Sequence, residues 1–141
     1  MSRAATVQNN TKPNSTKPLN VPGMLAQAIK LHHLGQLDDA EKLYESILAV
    51  RPDQFDALHH LGLIKHAKGQ HVDALRLVGA AMRVKAPSPQ ILMNNGLVLC
   101  ALNRHEEAIE SFDRAIKQKS KYPEAHNNRG VVLDAIGRRE E

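Results

Sequence analysis

The chain has 141 residues, enough for one domain or one short repeat array, and its 42% hydrophobic and 24% charged residues fit a folded chain at ease in water. Aromatic residues make up only 3% and Trp is absent, which excludes a core built on large rings and leaves Ala, Leu, Ile and Val to supply the packing. Of the formal charge of +4, three positive charges are Arg3, Lys12 and Lys17 in an acid-free stretch, so residues 21–141 are close to neutral and lack the basic stripe of a nucleic-acid binder.

Residues 1–20, MSRAATVQNNTKPNSTKPLN, are polar and poor in apolar side chains. Such a stretch cannot bury enough surface to offset its ordering entropy, and a disordered polar tail is expected. It lacks the apolar run of a signal peptide, and nothing in the chain approaches the ~18 apolar residues of a membrane span. The expectation is a cytoplasmic protein with no membrane role. Cys100 is the only cysteine, which rules out an intramolecular disulfide and a Cys-based zinc motif. Between Leu99 and Ala101, it reads as a small buried or groove-lining thiol.

Beyond residue 20 the chain repeats at a fixed interval. Gly62, Gly96 and Gly130 are 34 residues apart, and Ala28 fills the same place one period earlier. Ala40, Ala74 and Ala108 keep the same spacing. The segments AEKLYESIL, ALRLVGAAM and AIESFDRAI align without gaps, as do DALHHLGLI, QILMNNGLV and EAHNNRGVV. Units 21–54, 55–88 and 89–122 follow, with a partial unit over 123–141 that holds a first helix only.

Each unit predicts two helices. Leu58, Leu61, Gly62 and Lys65 stand at helical spacings of three and four. Turns follow at LGQLDD, KGQHVD and LNRHEE, where Gly35, Gly69 and Asn103 suit the left-handed conformation that ends a helix. Second helices are expected over 40–50, 74–84 and 108–118. Pro52, Pro87 and Pro123 mark the links, and Pro89 sits where a helix start tolerates its missing N–H. The small residues Ala28, Gly62, Gly96, Gly130, Ala40, Ala74 and Ala108 are expected where helices approach closely. Lys65 replaces a large apolar group, and its stem is expected to lie along apolar surface with the ammonium in water.

This 34-residue helix–turn–helix unit, with Met24, Ala28, Leu31, Ala40, Tyr44 and Pro52 in the first copy and Leu92, Gly96, Leu99, Ala108 and Phe112 in the third, resembles the tetratricopeptide repeat (TPR) family. The resemblance implies an all-α, right-handed superhelical solenoid whose first helices line a concave binding face. It implies a protein-interaction scaffold that takes another protein or an extended peptide, with no cofactor. Groove candidates by that resemblance are His59, His60, Leu63 and His66, then Gln90, Met93, Asn94, Leu97 and Cys100, then Glu124, Asn127, Asn128, Val131 and Asp134.

Asn94 and Asn128 are one repeat apart, with His60 one repeat earlier. Asn costs helix stability, and its amide offers donor and acceptor to an extended backbone. The row is similar to the asparagine ladder of O-GlcNAc transferases. Bonding between neighbouring helices is the competing explanation. The basic clamp of chaperone-tail receptors is missing, since His59, Met93 and Asn127 stand at its places.

His32, His33, His59, His60 and His66 fall on first helices, which raises metal bridging as an alternative. No HxxxH pair occurs and no carboxylate completes a set, so polar groove histidines are preferred, with protonation near pH 6–6.5 altering binding. His71, His105 and His126 read as turn or helix-surface residues. There is no GxSxG, no phosphate loop and no oriented Cys–His pair, so catalysis is not expected of this chain. Asp38, Asp39, Glu106 and Glu107 fit the dipole at second-helix starts. The chain stops at RREE within the fourth unit, where Leu133 and Ile136 are expected to lose part of their cover. Self-association through that terminal helix is one consequence. A substrate-targeting fragment of an O-GlcNAc-transferase-like glycosyltransferase is the other.

Overall fold

A computed structural model describes residues 20–138. The expected polar tail falls on residues 1–19, outside the described residues, except that Asn20 belongs to the folded part. Its side chain accepts a hydrogen bond from the Gly23 backbone N–H at 3.2 Å and caps the first helix.

The described residues form seven α-helices: α1 Val21–His33, α2 Leu37–Val50, α3 Phe55–Ala67, α4 His71–Val84, α5 Pro89–Ala101, α6 His105–Gln118 and α7 Pro123–Ala135. They pack as the pairs α1/α2, α3/α4 and α5/α6, with α7 laid against α6. The fold is all-α. Pro123 is the first residue of α7 rather than part of the preceding link. Gln54 and Ser88 cap α3 and α5, accepting from the backbone N–H groups of Ala57 at 2.7 Å and Ile91 at 3.4 Å.

Left-handed residues end each first helix, with φ of 80° at Gly35, 79° at Gly69, 61° at Asn103 and 76° at Gly137. At Gly35 the chain reverses through two backbone bonds, Gln36 N–H to Leu31 C=O at 2.9 Å and Gly35 N–H to His32 C=O at 3.0 Å. The same pair recurs at Gly69, Asn103 and Gly137. These are the bonds of the Schellman motif. The second helices begin three residues earlier than expected, at Leu37, His71 and His105. Their N-caps, Gln36, Gln70 and Arg104, make no capping side-chain bond, so the usual start signal is missing from the sequence.

The small residues admit close helix approach, though not at every copy. A methyl group on Gly62 would lie 2.8 Å from Val78 Cγ2, and one on Gly96 would lie 2.5 Å from the Phe112 ring. Ala28, Ala40, Ala74 and Ala108 are fully buried. Gly130 differs: it is exposed and a methyl there would meet nothing within 4 Å, because no described residue lies where Val78 and Phe112 stand in the two preceding pairs. Leu133 corrects a second expectation. It is buried, together with Val132, in the cluster that contains Phe112 and Ala115, and Ile136 packs against it.

Ion pairs join second helices to the next first helix. Lys65 Nζ is 2.8 Å from Glu41 Oε2, so its ammonium is paired rather than released to water. Lys68 reaches both Asp38 and Glu41, and Arg129 and Arg138 meet Asp113 and Glu106. The pairs with an exposed partner contribute only ~0.2–1 kcal/mol each, and desolvation offsets much of the Coulombic gain in the more buried Lys65–Glu41 pair. The apolar clusters therefore carry the stacking.

Candidate functional site: the face of the first helices

The first helices of successive units touch each other, α1 with α3, α3 with α5 and α5 with α7, whereas the second helices make no comparable contact among the described residues. The groove candidates lie on these touching first helices, and none lies on a second helix.

These candidates differ in accessibility. Gln90, Asn127 and Val131 are exposed, and His59, His60, Leu63, His66, Leu97, Asn128 and Cys100 are half-buried. Met93 and Asn94 are buried. Asn94 Nδ2 lies 3.1 Å from His59 Nε2, and Asn128 Nδ2 lies 3.5 Å from Met93 Sδ. Each contact joins one first helix to the preceding one at a separation of 35 residues. An amide nitrogen only donates, so His59 Nε2 is the acceptor and its proton sits on Nδ1. Gln90 Oε1 accepts from the Tyr122 hydroxyl at 3.2 Å, another link between successive first-helix starts. Asn95 faces the other way, donating to Ser111 Oγ at 3.1 Å while Ser111 donates to the Leu92 carbonyl at 2.7 Å. That buried chain ties α5 to α6.

At the first two units the face is an imidazole cluster. His60 stacks on Tyr44 with centroids 5.7 Å apart and planes 8° apart. The rings of His32 and His59 each stand 5.5 Å from that of His60. Burial and the neighbouring imidazoles push His60 down to about 4. Burial also lowers His59 and His32 and raises the Cys100 thiol. Tyr44 is pushed up to about 12 by burial, and its hydroxyl has no hydrogen-bond partner among the described residues. His60 therefore stays neutral across pH 6–6.5, contrary to the expected titration there, because the low-dielectric cluster penalises its charged form.

Sequence spacing missed one contact. His71 is turned to His66, with Nδ1 atoms 3.0 Å apart across the turn of the second unit. Both residues are half-buried. An i, i+5 pair is no helical motif; only the left-handed turn at Gly69 brings the rings together. Among the described residues no group of three or more His, Cys, Asp or Glu side chains is placed to hold a metal ion, and no helix is long and apolar enough to cross a membrane.

Paired helices, left-handed turns every 34 residues and small residues at the crossings define a helical repeat scaffold. Family models described as tetratricopeptide repeat and TPR repeat match residues 25–90 and 96–137. The chain belongs to the tetratricopeptide repeat family. No curated protein sequence matches it significantly. Among solved structures it is similar to MamA, with a TM-score of 0.83 and 20% identity over 89% of this chain and 74% of that one. It is also similar to YrrB, described as a TPR protein with an unusual peptide-binding site, with a TM-score of 0.75 and 21% identity over 81% of this chain and 59% of that one. A mutant of Thermobaculum terrenum O-GlcNAc transferase matches with a TM-score of 0.74 and 27% identity, over 80% of this chain and 22% of that one. The repeat fold is that of a protein-interaction scaffold and is not catalytic in itself.

Proposed function

We propose that the chain binds an extended peptide or a segment of another protein along the face of its first helices. The observation that carries this reading is the unbroken contact of α1, α3, α5 and α7, the helices that hold the candidates Leu63, Leu97, Asn127, Asn128 and Val131. Among the described residues these helices offer polar amides, the half-buried Leu63 and Leu97, the exposed Val131 and no basic clamp, which suits a neutral, mildly apolar segment. YrrB's description as a TPR protein with a peptide-binding site supports the class of ligand.

The test is selection from a displayed peptide library, followed by affinity measurement on variants. Leu97→Glu and Val131→Glu are expected to weaken a selected peptide tenfold or more. Val72→Glu, on the second helix α4, is expected to leave it unchanged. Peptides that respond to Val72→Glu and ignore the other two would overturn the reading.

A second reading draws on the likeness to the glycosyltransferase at 27% identity. Here the array is the substrate-selecting segment of such an enzyme, and a longer coding sequence lacking a glycosyltransferase region would remove it. Self-association of the exposed α7 face around Gly130 and Val131 is a further consequence, and sedimentation of a clean monomer at high concentration would refute it.

A further inference from the structure

His66, next to last in α3, and His71, first in α4, face each other with Nδ1 atoms 3.0 Å apart and ring centroids 4.9 Å apart. The turn between them is fixed by Gly69 at φ 79° and by the backbone bonds Gly69 N–H to His66 C=O and Gln70 N–H to Lys65 C=O. The pair is thus set by the backbone of the turn. The equivalent positions hold His32 and Leu37 in the first unit and Cys100 and His105 in the third, so the imidazole pair is confined to the second.

We propose that His66 and His71 form a cis chelate, through their two Nδ1 atoms, for a divalent transition cation that prefers right-angled coordination, such as Ni²⁺ or Cu²⁺. At a metal–nitrogen distance of ~2.0–2.1 Å, the observed separation subtends about 91–97° at the metal, whereas a tetrahedral zinc would need nitrogens ~3.3–3.4 Å apart. Imidazole nitrogens in a square-planar or tetragonal arrangement suit Cu²⁺ and Ni²⁺. Water fills the remaining positions, since among the described residues no third His, Cys, Asp or Glu joins the pair.

Without metal, one Nδ1–H donates to the other Nδ1. On binding, that proton moves to Nε2 of the same ring, both imidazoles remain neutral, and both Nδ1 lone pairs turn to the cation. Burial and the neighbouring His71 hold His66 below the usual imidazole range, which favours the neutral, ligating form. The bound cation would bridge the end of α3 and the start of α4.

The test is calorimetric titration of the tag-free chain with Ni²⁺, chosen because it does not oxidise Cys100. One equivalent is expected to bind saturably, and His66→Ala and His71→Ala are each expected to weaken it roughly tenfold or more. His126→Ala, on an exposed residue of α7, is expected to bind as the parent does. His71→Gln keeps a polar helix start and should lose binding with an unchanged metal-free melt, which separates ligand loss from misfolding. Absence of a saturable site in the parent, parent-like affinity in His71→Ala and His71→Gln, or equal weakening in His126→Ala would each overturn the proposal.

Discussion

Replacing Gly96 with Ala adds a methyl group aimed at the Phe112 ring, at 2.5 Å from Cε1 and 2.8 Å from Cδ1 and Cζ. Real methyl–carbon contacts do not occur at that distance, so ring or helix must move. Phe112 is fully buried, so the ring cannot turn out into solvent. Overpacking of this kind costs ~1–3 kcal/mol. The same substitution removes a mid-helix glycine, which by itself gains ~0.8–1 kcal/mol. The rigid neighbour puts the steric cost at the upper end, and a net loss of ~1–2 kcal/mol is expected. Urea denaturation followed by circular dichroism measures it. The control is Phe112→Leu, which withdraws the ring: in that background Gly96→Ala should become neutral or stabilising. Such a sign change is a coupling energy, which neighbouring side chains show and distant ones do not. Gly96→Ala at least as stable as the parent, or a cost unchanged by Phe112→Leu, would refute the close-approach account.

Gly130 stands one repeat later with nothing within 4 Å, so Gly130→Ala should stabilise by ~0.4–1 kcal/mol, and destabilisation in the same urea assay would contradict the open slot. His60 is neutral in the folded chain down to about 4 and ordinary when unfolded, so its contribution is complete above pH 6.5 and is lost as pH falls toward 4. That shift is worth ~3 kcal/mol at full weight and roughly 1–2 after solvent screening, so His60→Phe should flatten stability against pH between 6.5 and 5, and an unchanged slope would count against it. Ser111→Ala strands the Asn95 amide in the core and takes a second donor from the Leu92 carbonyl, and should cost ~1–3 kcal/mol, whereas Ser111→Thr, which keeps the hydroxyl, should recover part of it. Equal melts for Ser111→Ala and the parent would remove the buried chain from the stability account.

The repeat was legible because each of its signals is local. Glycine, or asparagine at 103, ends every first helix at the same register, and alanine or glycine marks every crossing. The starts of the second helices were less legible. Gln36, Gln70 and Arg104 are not capping residues, and the polar first turn hides the onset until the first buried alanine. Two further features depend on what lies beside a residue in space. His60 reads as a titrating imidazole from its sequence neighbours, and only its spatial surroundings, with His32 and Tyr44 from the preceding unit beside it, keep the half-buried ring neutral. His71 reads as a surface residue until the turn brings His66 to it. Leu133 was expected to lose part of its cover, and it is buried because α7 packs on α6.

The two asparagines of the row occupy one register but face different energetic conditions. Asn94 is buried, and its amide nitrogen is held by an imidazole nitrogen, a good acceptor. Asn128 is half-buried, and its amide nitrogen faces only a thioether sulfur at 3.5 Å, a weak acceptor. Withdrawing the Asn94 amide leaves His59 Nε2 without its donor in a desolvated place, with a penalty of ~1–3 kcal/mol. Withdrawing the Asn128 amide forfeits little. A peptide that recruits amides along this face therefore meets Asn128 as an adaptable contact and Asn94 as a fixed one. The shared 34-residue register sets where each amide stands; the residue 35 positions earlier, His59 or Met93, sets what it costs to use.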